Sequence, residues 1–349
     1  MDKFEVIRKY QNMPEDQYPY FSEPAEAASS PVSYKDRSAG LMVFGIMTIL
    51  LGCLAGLMIV LMLFALAVSP QATKGQLTFS TIVPAIAVYG VAAVVLIWLG
   101  IGSIQARRWA RALMLIFSWS WLIMGMIGLA VMVFVLPKTM ANLPSNSANG
   151  DAAVGVVLVF SFLIMGVMFV VLPAIWTFFY HSRHVKATCE ARDPATRWTD
   201  ACPLPVLAFS LWLLFSVVMM LVAPLTGHTV MPFFGMFLTG LPGILFCLVL
   251  AAIWGFAAWS LYKLERRGWW LILIVMWVLM PSAFLTYAQH DVTEMYQLMG
   301  YPEAQIEQMQ KIGLWSGNRM MWLMALSMAP FMAYLFFIKK YLPGKPQKV

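Results

Sequence analysis

The chain has 349 residues, 61% of them hydrophobic and 11% charged, with a formal net charge of +7 and a mean hydropathy of +0.77. Soluble domains carry about 25% charged residues, so this composition excludes a water-soluble globular protein. It gives no support to a nucleic-acid binder either, because the basic residues form no extended stripe.

Residues 1–39 are polar and mixed in charge, with "QYPYFSEPAEAASSPVSYKDR" rich in Pro, Ser, Glu and Tyr. Too little apolar surface is present there to offset the entropy of ordering, so a largely disordered tail is expected. A short helix over "DKFEVIRKY" is the alternative. No short apolar segment precedes the first long one, and no removable signal is expected.

Eight long apolar runs follow, at 40–68, 79–104, 110–136, 152–180, 203–225, 231–262, 269–288 and 318–338. A run of about 18 residues crosses a hydrocarbon layer about 30 Å thick when helical. The runs are uniformly apolar where barrel strands alternate, which favours helices. The polar segments between them, such as "SPQATKGQL" and "PKTMANLPSNSANGD", carry turn residues. The chain therefore reads as an all-α integral membrane protein with eight transmembrane helices.

Nineteen of the 23 Lys and Arg residues fall in 1–39, 105–111, 181–202, 263–267 and the segment after 338. The alternate loops hold Lys74, Lys138 and Lys311, with Arg319 at the mouth of the last run. The positive-inside rule then puts both termini in the cytoplasm. A bacterial inner membrane is the expected location.

Punctuation recurs at a common spacing. Arg107-Arg108 matches Arg266-Arg267 at an offset of 159, Pro84 matches Pro242 at 158, and Pro173 matches Pro330 at 157. Phe178-Phe179 matches Phe336-Phe337 at 158, and Ser103 matches Ser260 at 157. Two tandem four-helix repeats are predicted, 40–180 and 203–342, joined by a cytoplasmic linker at 181–202 and followed by a tail at 343–349. With four spans each, both repeats enter the membrane in the same direction. Arg107, Arg108, Arg111, Arg266 and Arg267 read as topology determinants that meet anionic lipid headgroups. Trp98, Trp109, Trp176, Trp259, Trp269 and Trp270 read as an interfacial belt.

The interiors of the runs contain no Asp, Glu, Lys, Arg, His or Asn. Proton relays and ion-coupled carriers need such groups, as do intramembrane proteases, and haem ligation needs facing His residues. Hydroxyls such as Ser118, Ser120, Ser161, Ser210, Ser216, Ser282 and Ser327 are expected to bond to their own helices or to a neighbour. Gly52 and Gly56 read as helix-packing positions, and Cys53 and Cys247 as small buried hydrophobes. The prolines kink helices and the 27 Met residues fill irregular space.

His181, His184, Cys189 and Cys202 match no common zinc spacing. The 289–317 loop contains "PEAQIEQMQKI", with Pro302 at a first helical position and Ile306, Met309 and Ile312 along one face of a predicted surface helix. His290, Asp291 and Glu294 form its alternative reading as an outer metal or substrate site. No catalytic group, cofactor or metal is expected. The residues point to a non-catalytic structural, assembly or accessory subunit whose partners are membrane lipids and other membrane proteins. The alternative is a permease or lipid-handling protein for a neutral or hydrophobic solute.

Overall fold

The computed structural model describes residues 34–68, 79–141, 148–226, 229–301 and 317–342, with scattered positions between 303 and 310. Asp36–Val349 forms one compact unit, and the contacts that define the fold lie within it. The tail through residue 33, the loops 69–78 and 142–147, His228, the residues Pro302, Met309 and Ile312, and the tail 343–349 lie outside the described residues.

The apolar runs are helical. The elements are α1 (Ser38–Val68), α2 (Phe79–Ile104), α3 (Arg108–Ala141), α4 (Ala148–Gly166), a π-helical turn (Val167–Val171), α5 (Leu172–His181), α6 (Arg183–Arg192), α7 (Leu204–Val222), strands β1 (Val230–Phe233) and β2 (Met236–Thr239), α8 (Gly240–Tyr262), α9 (Arg266–Gln289), α10 (Val292–Leu298) and α11 (Gly317–Lys339). Among the described residues seven helical stretches are long and apolar enough to cross a membrane: Ser38–Ala65, Ala85–Ile104, Arg108–Val133, Val159–His181, Leu204–Val222, Gly240–Tyr262 and Arg266–Gln289. The eighth run appears as α11, which contributes the shorter apolar stretch Met324–Lys339.

The expected helix over 231–262 begins later. Its first residues instead form an antiparallel hairpin in which Val230 pairs with Thr239 and Phe233 with Met236. Phe234 (φ 39°) and Gly235 (φ 86°) take the two positive-φ positions of its tight turn. Phenylalanine is a poor residue for that conformation, and long-range bonds hold it there. The Phe234 amide donates to Ser282 Oγ at 2.8 Å and the Gly235 amide to Thr286 Oγ1 at 3.0 Å. Hydropathy could not separate strand from helix here, because both side chains that pin the turn belong to α9, about 50 residues away.

α1 and α2 form the closest helix pair. A β-carbon at Gly45 would meet the Gly100 carbonyl at 2.8 Å, one at Gly100 would meet the Gly45 carbonyl at 2.7 Å, and one at Gly52 would meet the Ala93 carbonyl at 3.0 Å. Gly56, paired with Gly52 in the sequence reading, has only the Ala93 side chain at 4.0 Å. Small residues let backbones approach, and here Gly45 and Gly100 do that work.

Pro173 shapes the fourth span. Lacking an N–H, it cannot bond the Phe169 carbonyl one turn back, and the π turn reroutes the ladder so that the Leu172 amide bonds Val167 O. The Phe169 carbonyl is turned against Gly125 of α3, at a spot where a β-carbon would collide with it.

The packed core lies toward the end of the bundle that carries the two Arg turns, here called the basic end. One cluster gathers Leu41, Leu99, Met114, Leu115, Trp176 and Tyr180, and a second gathers Val206, Trp254, Leu261, Trp269, Ile272 and Leu335. Trp176 and Trp269 are therefore core residues, against the expected belt, whereas Trp98, Trp259 and Trp270 are exposed as expected. Trp269 Nε1 donates to Leu335 O at 2.8 Å, tying α9 to α11. Ser103 Oγ donates to Leu41 O at 3.0 Å and shares a 2.6 Å bond with Tyr180 Oη, tying α1, α2 and α5.

Candidate functional site

Two helical turns at the basic end are built alike. After α2, the Ala106 amide bonds Ser103 O and the Arg107 amide bonds Gly102 O; after α8, the Leu264 amide bonds Leu261 O and the Glu265 amide bonds Ser260 O. Ala106 (φ 51°) and Leu264 (φ 60°) sit in the left-handed region. Both are Schellman-type helix ends, related by a constant offset of 158. When the two turns are aligned on this geometry, Arg108 falls on Arg266 and Arg107 on Glu265, one residue away from the pairing of the two Arg-Arg dipeptides at 159.

The first turn is covered by the linker, which does more than connect the spans on either side of it. α6 is capped at its start by Ser182, whose side chain accepts from the His184 amide, and it buries Val185, Thr188 and Cys189. The Arg37 amide donates to Thr188 Oγ1 at 3.1 Å, fixing α6 beside the start of α1. Asp193 follows, its side chain only 3% exposed. It accepts from Arg197 Nη2 at 2.6 Å and from the Arg108 amide at 3.3 Å, and Arg107 Nη1 lies 3.9 Å away. Its carboxylate thus occupies the N-terminus of α3, where an anion is favoured. The Arg197 hydrogen bond, above all, holds its carboxyl below the ordinary value of 3.8.

Arg108 reaches Glu190 at 3.4 Å and Asp200 at 3.6 Å, and donates to Pro194 O at 3.4 Å. Arg197 and Asp200 form a reciprocal cap over the short turn Trp198–Asp200. Arg111 is half-buried beneath this network, and its Nε has no hydrogen-bond partner among the described residues. The guanidinium groups of the first turn are thus largely engaged within the chain. Asp193, Glu190, Arg197 and Asp200 were missed in the sequence reading, although "CEARDPATRWTD" alternates acid and base in a way that signals local pairing.

Among the described residues the second turn has no such cover. Arg266 and Arg267 are exposed, and neither forms an ion pair among the described residues. Arg266 Nε donates to Leu342 O at 3.4 Å. Glu265 precedes α9 without capping it and accepts from Ser260 Oγ at 2.9 Å.

His181 is exposed, whereas Cys189 and Cys202 are buried. Burial pushes each of these two thiols up to about 11, so neither is a thiolate at neutral pH. Among the described residues no three His, Cys, Asp or Glu side chains converge to hold a metal. Cys53 is exposed on α1, correcting its expected burial.

At the opposite end, His290 does something other than join Asp291 and Glu294 in a site. Asp291 Oδ1 accepts from the Val292 amide at 2.7 Å and starts α10. His290 Nδ1 meets Glu294 Oε2 at 2.8 Å, and Nε2 meets Gly235 O at 3.0 Å. Both partners only accept, so the doubly protonated ring is the form that satisfies both contacts. Glu294 first, and then the Gly235 carbonyl, hold its pKa above the ordinary 6.5. A raised value gives a contribution that is complete below 6.5 and is lost as pH rises through the folded value. Amide protection at the hairpin turn, taken relative to the intrinsic exchange rate at each pH, should therefore fall as pH rises through that value. In His290→Gln the step should vanish; a step that persisted would show that another group controls the turn.

Ser118, Ser216 and Ser327 donate to carbonyls of their own helices. Ser120 instead accepts from Trp212 Nε1 at 3.1 Å, joining α3 to α7, and Ser282 serves the hairpin. A groove of about 800 Å³ opens sideways between α3 and α4, walled by apolar side chains such as Leu129, Val133, Val159 and Phe160. No family model, curated protein or solved structure matches the chain.

Proposed function

We propose that the protein is a non-catalytic subunit of a membrane assembly, built as eight spans in two parallel four-helix repeats with both termini in the cytoplasm. The matched turns at an offset of 158 support the repeat. The observation that carries the functional reading is how little the first four spans bury within the chain. In each of them only 11–22% of the apolar stretch is buried, against 28–44% in the next three. Helices that pack so sparsely on their own chain present surface to lipid or to other helices, and in lipid the association of helices depends on packing complementarity. The Gly45–Gly100 pairing of α1 with α2 makes a rigid two-helix unit suited to that role.

Cys53 gives the test. It is the exposed cysteine, the other three being buried, so a thiol-reactive photo-crosslinker applied to the native protein in its membrane should label about one site per chain. Irradiation is expected to capture a second polypeptide at a defined mass. Capture of lipid alone would overturn the subunit reading and favour the second one, a lipid-handling protein, which the sideways apolar groove between α3 and α4 supports.

A further inference from the structure

Five exposed cations gather at the basic end of the second half: Lys263, Arg266, Arg267, Lys339 and Lys340. The bond from Arg266 to Leu342 O places the start of α9 against the end of α11, and Lys339 Nζ lies 4.7 Å over the Trp269 ring. Lys263 Nζ lies 5.0 Å over Trp259, and Lys340 Nζ 3.9 Å over Phe337. None of the five has a carboxylate partner among the described residues. The one acidic residue in the turn, Glu265, is engaged by Ser260.

The first half shows what such a turn takes. There the corresponding helix start is filled by the Asp193 carboxylate, which accepts from the Arg108 amide, and Glu190 and Asp200 meet the guanidinium of Arg108. In the second half two arginines stand at a helix N-terminus, which by itself favours negative charge, and no acid in the first turn answers them. Trp259 and Trp270, 61% and 52% exposed, flank the turn. Indole rings of that kind lodge at the depth of lipid headgroups, and lysine stems lying on aromatic faces keep their ammonium groups at the polar edge.

We infer that this patch is a binding site for the headgroup phosphate of an anionic phospholipid, with Arg266 and Arg267 as its principal ligands. The uncompensated charge selects against zwitterionic lipids, whose ammonium groups the cluster repels. The Arg107–Arg108 turn, already satisfied by the linker carboxylates, is not a second copy of the site. The inference rests on the membrane placement given above but not on the presence of a protein partner.

The full-length protein in mild non-ionic detergent should be titrated with phosphatidylglycerol and with phosphatidylcholine, and bound lipid read by native mass spectrometry. Phosphatidylglycerol should bind selectively. The double variant R266Q/R267Q should bind it about 30-fold more weakly, taking about a factor of five for each charge near an anionic headgroup. R266K/R267K should retain most of the binding, and R183Q, an exposed arginine of α6, should retain all of it. Gel-filtration profile and thermal stability report whether each variant is folded. Equal binding of the two lipids, full binding by a folded R266Q/R267Q protein, or displacement of the lipid by millimolar inorganic phosphate would overturn the site. So would selectivity that appears only after deletion of residues 1–33, whose six acidic residues would then be the natural occupant. Capture of a partner from Cys53 is read independently of every one of these results.

Discussion

Adding one methyl group at Gly125 will destabilise the folded protein by about 3 kcal/mol, the upper range for overpacking a tight contact. The new β-carbon would collide with the Phe169 carbonyl, and neither backbone can retreat cheaply. That carbonyl is turned outward because Pro173 cannot donate to it and the π turn Val167–Val171 has shifted the ladder. The penalty outweighs the gain of about 1 kcal/mol that Gly-to-Ala brings inside a helix. Gly128, three residues on, has no atom within 4 Å of a built β-carbon, so Gly128→Ala should be neutral or slightly stabilising. Thermal unfolding in detergent separates the two, and equal behaviour of both variants would refute the close contact. Pro173→Ala supplies the missing N–H to Phe169 and should partly rescue Gly125→Ala, as a coupling between touching groups requires.

Asp193→Ala is expected to have the next largest effect, about 2–3 kcal/mol, through loss of charge-assisted hydrogen bonds at a buried position. The substitution removes the acceptor for Arg197 and for the Arg108 amide and leaves the start of α3 uncapped. It also frees the linker to lift from the bundle, since Arg108 holds Glu190 and Asp200 less firmly once Arg197 is unanchored. Faster proteolysis of the segment between α6 and α7, with α1 and α2 still protected, is the expected signature. Because the Asp193 pKa is depressed from 3.8, its contribution is complete above that value and is lost as pH falls below it. Acid unfolding of the wild type should thus steepen below about pH 4, and Asp193→Asn should flatten that limb. If Asp193→Ala melted like the wild type, the linker would be a passive connector.

The helix limits show how far hydropathy reaches. The runs read at 79–104 and 318–338 appear as Phe79–Ile104 and Gly317–Lys339, because the preference for lipid over water sums residue by residue along the chain and needs no knowledge of neighbours. The same sum misread 231–239, where Phe and Val satisfy a strand as readily as a helix. A common offset near 158 was visible in the Arg, Pro and Phe spacings, but the pairing it gave at the two Arg turns was one residue off. Identity of side chains marked the wrong partner, and the positive φ of Ala106 and Leu264 marks the right one.

By itself the sequence determined that this is a helical membrane protein with no ionisable group inside its apolar runs, since composition and the positions of charge fix what can lie in lipid. Only the tertiary structure decided which arginines keep free charge. Among the described residues, the guanidinium groups of Arg107 and Arg108 meet carboxylates about 85 residues away, while those of Arg266 and Arg267 meet none. Two identical dipeptides acquire different chemistry because a pair energy depends on distance in space, and that distance is set by how the linker folds back across the bundle.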